Sequence, residues 1–396
     1  MSRFFTEDIS INTRDLVTLL VPGVALSVWM YNFTFGEVIG ELITKFDIQG
    51  RVIYAIILFS LAFSAIITGI LIDKTKKSLS FVYAGLVFCG FVSLLALLIN
   101  SSNQFLLFSV FAGFGSGIGI TAFRVYMADV TEVEERGRIA GVVLFASYIA
   151  IVVSKIILRD ASFTTSILFL SGICFLGLSI YLSNPKKIKI REKSTSDTRS
   201  ARLFLISWIL ITLAYGVWNA LITPHPITLV SDIDTTSFII LSSVGYAIAA
   251  IIGGISTDWI GRKLVVGFAL AALAMAYAFY GLISSFVYPA LFLEVTAWGF
   301  LNTIFLFVLW GDLSSGSRGL FYGVAWALFF GGLIFGETLA YLLGPTPWSH
   351  VSLISSTLLI LAILPILKVE EPLPKEKIKE REMSRYLKEV RKIGRK

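Results

Sequence analysis

The segment G-I-S-T-D-W-I-G-R-K, Gly254 to Lys263, places one acid and two cations between two long apolar runs, 236–257 and 264–283. Each run has about the 20 residues that a helix needs to cross roughly 30 Å of hydrocarbon. A charge at the centre of a membrane helix costs about 2.5–3.5 kcal/mol or more, so the charged segment does not continue either helix. Its glycines permit a tight turn. The segment therefore indicates a polar loop that joins two membrane-spanning helices.

The rest of the chain repeats this alternation of apolar runs and short polar loops. Of its 396 residues, 56% are hydrophobic and 15% are charged, and the mean hydropathy is +0.83. This composition excludes a soluble globular protein, which needs a more polar surface. The runs lack the period-2 pattern of a membrane barrel, and a helix satisfies its own backbone in lipid. We predict an all-α polytopic membrane protein with about twelve transmembrane helices, at roughly 15–35, 52–72, 79–99, 105–128, 139–158, 164–183, 203–223, 236–257, 264–283, 287–311, 319–342 and 351–367.

Other classes of protein lack support in the sequence. Cys89 and Cys174 both lie in apolar runs, so no disulfide framework organises the fold. The chain has no GxxxxGK[ST] or HExxH motif and only two histidines, so we expect no metal, no cofactor and no enzymatic activity. The segment G-F-G-S-G-I-G, Gly113 to Gly119, could suggest a nucleotide-binding loop. Because it lies within an apolar run, we interpret it as close helix packing through small residues.

Lysine and arginine are distributed unevenly between the loops. If both termini face the same side, most of the 33 Lys and Arg residues lie on that side. They are concentrated after the second, fourth, eighth and tenth spans, in the segment 184–202 and in the tail 368–396. The positive-inside rule then places both termini in the cytoplasm, on a multi-pass protein of the cell membrane. The net charge of +7 therefore reflects orientation in the lipid bilayer and not a nucleic-acid partner.

The opening segment has a counterpart in the first half of the chain. G-I-L-I-D-K-T-K-K, from Gly69, follows the second span as the opening segment follows the eighth, and their aspartates, Asp73 and Asp258, lie 185 positions apart. A second motif repeats in the same way: D-V-T-E-V-E-E-R-G-R, from Asp129, follows the fourth span, and D-L-S-S-G-S-R-G, from Asp312, follows the tenth. Two unrelated motifs thus repeat at nearly one offset, which is about half the chain.

Such a repeat predicts two homologous six-helix halves. The first half comprises residues 1–183 and the second residues 203–367. A basic linker, 184–202, joins the halves, and a basic tail, 368–396, follows them. We expect the linker and the tail to lie in the cytoplasm, and the protein to be a monomer.

These loops resemble the major facilitator superfamily over nearly the whole chain. The loop signature of that family is G-x-x-x-D-x-x-G-R-[RK], and the second copy carries it complete, at Gly254, Asp258, Gly261, Arg262 and Lys263. In the first copy, Lys76 stands where the second glycine belongs. G-x-G-x-G followed by Y-M-A-D and E-R-G-R is most similar to the sugar-porter and related metabolite-transporter branches. Arg124 departs from them, since it stands where those branches usually carry proline.

The repeated loops also predict a conformational latch. An Asp in one of these loops can face the positive N-terminal end of a helix from the other half, such as the helix that begins near Gly137 or the one that begins near Gly319. Such contacts form when the cytoplasmic side closes and break when it opens. The alternative is that the charges only fix topology. The residues that we assign to the latch are Gly69, Asp73, Asp129, Arg136, Gly254, Asp258, Gly261, Arg262, Asp312 and Arg318.

Polar residues in the spans predict a substrate site. The resemblance implies that helices 1, 4, 7 and 10 line a central cavity, and polar groups within spans are costly unless they face such a cavity. Glu294, Trp298 and Asn302 form one stripe on the tenth span, at i, i+4 and i+8. Tyr215 and Asn219 lie one turn apart on the seventh. An aromatic and amide lining suits a polar organic solute, because rings stack on its faces and amides bond its hydroxyl groups.

Two further residues have more than one interpretation. Trp29, toward the outer end of the first span, lines the cavity or belongs to an interfacial aromatic belt. Arg124 lies about five residues from Asp129, close to the cytoplasmic mouth. It binds an anionic substrate, pairs with Asp129, or extends its head group to the surface.

Charges deep in the spans point to proton coupling. Lys155 lies 18 residues after Gly137, and Glu337 lies 18 after Gly319, so the two are related by the repeat and lie near the outer ends of their helices. We hypothesise that Glu294 or Glu337 couples proton entry to substrate movement, with Lys155 as a charge nearby.

The leading functional hypothesis is a proton-coupled secondary active transporter, which moves a sugar or another small organic metabolite by alternating access. Its partners are then the substrate, the proton and the lipid bilayer. The alternative is a membrane sensor that uses the same scaffold without transport.

Overall fold

The computed structural model describes residues 13–179, 198–222, 235–282, 286–314, 316–344 and 346–373, together with the single residues Ile11 and Met383. This part of the chain is built from helices and contains no strand, which confirms the predicted all-α fold class. Eleven of its helical segments are long and apolar enough to cross a membrane.

Twelve helices within the described ranges correspond to the predicted spans. They are α1 (Thr13–Trp29), α2 (Gly50–Thr75), α3 (Ser78–Leu95), α4 (Ser102–Val130), α5 (Arg136–Leu158), α6 (Phe163–Ser179), α7 (Thr198–Leu221), α8 (Thr235–Trp259), α9 (Arg262–Leu282), α10 (Val287–Thr303), α11 (Arg318–Leu343) and α12 (Trp348–Lys368). Of these, α6 is a shorter apolar helix of 17 residues.

Two spans contain a π-helical segment. α1 continues through Met30–Thr34 and is followed by a short helix, Glu37–Phe46. α10 continues through Ile304–Val308 into the short helix Leu309–Leu313. Single π-helical turns inside α-helices are rare and often occur at functional sites.

Helix ends follow local sequence signals. α4 begins after Ser101, whose hydroxyl accepts a hydrogen bond from the backbone N–H of Gln104, while the Gln104 side chain accepts one from the backbone N–H of Asn100. This reciprocal pair satisfies two N–H groups at the helix start. α2 ends because Lys76 adopts a left-handed backbone, with φ of 57°.

The helices pack into two groups, α1 to α6 and α7 to α12. The two groups meet mainly along two helix pairs, α2 with α11 and α5 with α8. Under the predicted repeat, α2 corresponds to α8 and α5 to α11, so each pair is the counterpart of the other.

Glycines permit both of these helix crossings. A Cβ on Gly69 of α2 would overlap the carbonyl oxygen of Gly319 on α11, and a Cβ on Gly319 would overlap that of Gly69. Gly137 of α5 and Gly254 of α8 have the same reciprocal relation. The first glycine of each signature loop therefore allows two backbones to approach closely, and the turn itself depends on other residues.

The glycine-rich run in α4 has a packing role, as the sequence indicates. A Cβ on Gly113 would overlap the backbone carbonyl of Ile57 on α2, and a Cβ on Gly117 would overlap the side chain of Ser64 on the same helix. The prediction of small-residue packing between Gly113 and Gly119 is confirmed.

Parts of the predicted linker and tail lie outside the described residues. Of the linker 184–202, only residues 198–202 are described, and they form the first turns of α7. Of the tail 368–396, the structure describes residues 368–373 and Met383.

Candidate functional site

The loops α2–α3, α4–α5, α8–α9 and α10–α11 lie at one end of the molecule, which we call the basic end. Here Asp73 accepts hydrogen bonds from two backbone N–H groups at the start of α11, those of Gly319 and Leu320, both at 2.8 Å. Asp258 does the same at the start of α5, at 2.8 and 3.0 Å. The first N–H groups of a helix have no partner within it. A carboxylate there also complements the helix dipole, a contribution of about 0.3–2 kcal/mol.

Three ion pairs cross between the halves beside these caps, and in one of them Arg138 donates from its Nε to Asp258 at 3.3 Å. Arg136 at the start of α5 donates to Asp312 of the other half, and both side chains are buried. Arg318 at the start of α11 donates to Asp129 at 3.0 Å, and these two side chains are 18% and 16% exposed. The first half therefore supplies two arginines and one aspartate to these pairs, and the second half supplies one arginine and two aspartates.

Arg262 joins these contacts into one network. Its side chain is fully buried, and its Nε donates to Asp312 at 2.9 Å. Its Nη2 lies 3.4 Å from a carboxylate oxygen of Asp258, and its Nη1 donates to the carbonyl oxygen of Thr257. Asp312 thus serves two arginines, Arg136 from the other half and Arg262 from its own.

The turn before α9 requires its glycine for two reasons. Gly261 has φ of 111°, a backbone that side chains disfavour, and a Cβ there would lie 2.6 Å from the carboxylate of Glu371. Glu371, after α12, accepts hydrogen bonds from the N–H groups of Arg262 and Lys263 at 2.8 and 3.0 Å. At the corresponding place in the first copy, Lys76 keeps a left-handed backbone despite its side chain.

A cluster of polar and aromatic side chains lies where the two halves meet inside the bundle. We call Tyr148, Tyr246, Asn302, Tyr215 and Trp298 the central cluster. Asn302 of α10 donates to the hydroxyl of Tyr148 on α5 at 2.8 Å, which links the halves. The ring of Tyr148 lies 5.6 Å from that of Tyr246 on α8, and the ring of Tyr215 on α7 packs against Trp298 at 4.6 Å. The predicted stripes of the seventh and tenth spans thus face each other.

Glu294 lies one turn from Trp298 on α10, deep within the second half. It is 6% exposed and accepts a hydrogen bond from the Tyr280 hydroxyl of α9 at 2.9 Å. Tyr215, Tyr246 and Tyr277 also lie within electrostatic range of its carboxyl group.

Arg124 is buried at the join between the halves, on α4. Its guanidinium carbon lies 4.3 Å from the ring centroid of Phe307, in the second π-helical segment, and 4.2 Å from that of Trp326 on α11. Burial of an ion costs several kcal/mol, whereas each cation–π contact contributes about 0.5–2 kcal/mol. The two rings therefore do not offset the cost of this charge.

The structure does not pair Arg124 with Asp129. That carboxylate instead accepts hydrogen bonds from Arg318, at 3.0 Å, and from the hydroxyl of Ser78, at 2.7 Å. Nor does the side chain extend to the surface, because Arg124 is only 7% exposed.

Three other predicted residues are not part of the central cluster. Trp29 is fully buried inside the first half, where it donates to the hydroxyl of Ser93 and stacks on Phe33, so it faces neither the cavity nor the membrane interface. Glu337 is 39% exposed and forms an ion pair of 3.6 Å with Arg51. Asn219 is exposed, near the end of α7.

Lys155 is buried near the far end of α5. Its Nζ lies 5.7 Å from the ring of Tyr31, in the first π-helical segment. Beside it, Asn32 donates to the hydroxyl of Ser154, so α1 and α5 are joined by polar contacts at this level.

Several residues of the site escaped the sequence analysis. Tyr148, Tyr246 and Tyr280 lie on helices outside the four that the resemblance assigns to the cavity, although a tyrosine within an apolar run was a usable signal. Phe307 and Trp326 gave no signal, because nothing in an apolar run shows which ring will cover a distant arginine.

Comparison with known proteins agrees with this architecture. The family model of the Major Facilitator Superfamily matches residues 18–337. The fold is similar to that of the human organic anion transporter MFSD10 (TETRAN), with a TM-score of 0.71, 14% identity, and coverage of 90% of this chain and 100% of that one. It is also similar to the proton:xylose symporter XylE bound to 6-bromo-6-deoxy-D-glucose, with a TM-score of 0.67, 16% identity, and coverage of 90% and 96%. No curated protein sequence is similar enough to the chain to count as a relative.

Proposed function

Because the chain belongs to the major facilitator superfamily, a family of membrane transporters, we propose that it is a secondary active transporter that moves a small polar organic solute by alternating access. The observation that carries the proposal is the hydrogen bond between Asn302 and Tyr148. It joins the two halves at a cluster of rings and polar groups, where a solute would be enclosed on both sides.

The basic end forms the closed gate in the state described. Asp73 and Asp258 cap helices of the opposite half, and Arg136–Asp312 and Arg318–Asp129 pair across the same boundary. We place this end in the cytoplasm, since the positive-inside rule assigns the basic loops to that side. When the halves rock apart there, these contacts break and the central cluster opens to the cytoplasm.

A sugar or organic metabolite fits the lining of the central cluster. Tyr215 and Trp298 offer ring faces, and Asn302 and Tyr148 offer a carbonyl oxygen and hydroxyl groups. XylE is a proton:xylose symporter and MFSD10 is an organic anion transporter, so similar folds carry both neutral and charged solutes.

Proton coupling is assigned to Glu294. It is buried, it bonds the Tyr280 hydroxyl, and it lies one turn from Trp298 of the central cluster. Glu337 is the weaker candidate, because its side chain is exposed and paired with Arg51, whereas Glu294 is buried. Lys155 is kept in the proton-coupling hypothesis as a charged group, because it is a buried cation on the opposite half. The transporter is proposed to act as a monomeric symporter in the cell membrane.

Transport is tested with the purified protein in liposomes. A thermal-shift screen against sugars, organic acids and amino acids selects a solute, and uptake of the radiolabelled solute is measured with and without an inward proton gradient. Tyr148→Phe, which removes the hydroxyl that Asn302 bonds, should lower uptake at least severalfold, whereas Tyr288→Phe, at an exposed ring, should not. A protein that binds a solute but never moves it across the bilayer, with or without the proton gradient, would be a sensor.

A further inference from the structure

We propose that Arg124 is an anion subsite that holds a carboxylate group of the transported solute. The inference rests on the proposed function, since it names the class of solute that the central site takes. Arg124 is more than nine-tenths buried, and its guanidinium is the part of the site that lacks a counter-charge among the described residues.

The guanidinium of Arg124 uses little of its hydrogen-bonding capacity within the described part of the chain. Phe307 and Trp326 lie against it, at 4.3 and 4.2 Å from the guanidinium carbon. Its Nη1 has one long contact, 3.4 Å, to the carbonyl oxygen of Ile120, and its Nε has no hydrogen-bond partner among the described residues. Rings restrain the plane of the guanidinium, and its N–H groups point outward within that plane, the arrangement that a carboxylate accepts with two parallel hydrogen bonds.

Other unpaired polar groups accompany Arg124. The indole N–H of Trp326 is buried and has no partner in the described part of the chain, and the same holds for the hydroxyl of Thr121, one turn before Arg124 on α4. Buried donors are normally satisfied, and those that are not call for an explanation such as a missing ligand. A carboxylate bound at Arg124 would bring two acceptor oxygens to a part of the site where buried donors lack a partner among the described residues.

The nearby charges favour a monoanion. The buried arginines of the basic end, Arg136 and Arg262, are already bound to Asp312, so they offer no second cation. One guanidinium balances one carboxylate, whereas a phosphate dianion usually requires more positive charge. The aromatic groups around the site suit the organic part of the solute.

The subsite also connects binding with movement of the halves. Arg124 belongs to the first half, whereas Phe307 and Trp326 belong to the second. When the halves rotate, the rings move relative to the guanidinium. The contacts of a carboxylate bound to Arg124 therefore differ between the state open to one side and the state open to the other.

The first test compares acetate with acetamide, its neutral counterpart. Thermal unfolding of the purified wild-type protein is followed in increasing acetate, acetamide or chloride at constant ionic strength. Acetate should raise the midpoint more than the other two do, and this difference should vanish in Arg124→Gln and persist in Arg159→Gln, a control at an exposed arginine. If acetate and acetamide act alike on the wild-type protein, the anion subsite is wrong, whatever the variants do.

The second test measures transport of lactate and of its neutral counterpart 1,2-propanediol in liposomes. Lactate uptake should fall at least tenfold in Arg124→Gln, as expected for loss of a charge-assisted hydrogen-bond partner, and less in Arg124→Lys, which keeps the charge but not the planar fork. Equal uptake of lactate by wild type and Arg124→Gln would preserve the transporter and overturn the anion subsite. An acetate effect that depends on Arg124, without transport of any solute, would preserve the subsite and overturn the transporter.

Discussion

Lys76 and Gly261 occupy the same place in the two copies of the loop, and both have left-handed backbones, with φ of 57° and 111°. The positive φ at this position therefore occurs in both copies of the loop, whether or not the residue is a glycine. A residue with a side chain can occupy it at a cost of roughly 1–2 kcal/mol, which the first copy accepts. In the second copy a side chain would meet the same backbone cost and would also displace the carboxylate of Glu371, which lies beside Gly261 and bonds the N–H groups of Arg262 and Lys263.

Gly261→Ala should therefore destabilise the protein. Its Cβ would meet Glu371 at 2.6 Å, in a backbone that alanine disfavours, so we expect a loss of about 1–3 kcal/mol and a lower midpoint of thermal unfolding. The matched control is Gly267→Ala on α9, where a Cβ would contact nothing within 4 Å. The control should leave the midpoint unchanged or raise it slightly, since alanine favours a helix. Equal effects of the two changes would show that the conformation of Gly261 does not matter.

At the scale of the helices, the two crossings α2–α11 and α5–α8 bring backbones together at glycine pairs and place an aspartate beside the start of the facing helix. Gly69 and Gly319 define one crossing, and Asp73 caps α11 within the same contact. Close approach and helix capping therefore depend on each other, because a wider crossing would move the carboxylate away from the N–H groups.

Gly319→Ala should open the basic end. A Cβ at this position would overlap the backbone of Gly69, and overpacking of this kind costs about 1–3 kcal/mol. Since 1.4 kcal/mol is a factor of ten in an equilibrium, the accessible state should become about tenfold more populated. The measurement is the rate of maleimide labelling of Ser314→Cys, at a buried position near that end; both native cysteines are buried. Gly331→Ala on the same helix, with open space around it, is the control, and a faster rate there as well would exclude the crossing as the cause.

For the molecule as a whole, the sequence predicts the twelve helices and the partners of the repeated loops, because apolar run length and a repeat at one offset are local and periodic signals. It does not predict the central cluster to the same extent. Asn302 was evident as an amide in a span, yet its partner Tyr148 lies 154 positions away on the other half. A stripe on one helix shows which residues share a face, whereas the identity of the facing residue depends on how the two halves are placed together.

The exchange of arginine and aspartate between the halves leads to the last prediction. By the repeat, Arg136–Asp312 and Arg318–Asp129 are counterparts, but the first pair is buried and shares Asp312 with Arg262, whereas the second is partly exposed. Asp312→Asn leaves the buried Arg136 without its counter-charge and removes the shorter of the two ion pairs of the buried Arg262, which keeps Asp258; we expect a loss of about 3–5 kcal/mol. Asp129→Asn leaves an arginine that water can reach, for which we expect about 0–1 kcal/mol.

Thermal unfolding of the two variants checks this difference. The midpoint of Asp312→Asn should be clearly lower than that of the wild-type protein, and that of Asp129→Asn should be close to it. In a double-mutant cycle with Arg136→Gln, the two buried changes should be strongly non-additive, because each removes the partner of the other. In the corresponding cycle of Asp129→Asn with Arg318→Gln, the changes should be nearly additive. Equal midpoints for the two aspartate variants would mean that Asp312 and Asp129 contribute equally to the free energy of unfolding. The difference in burial between the two ion pairs would then have no effect on stability.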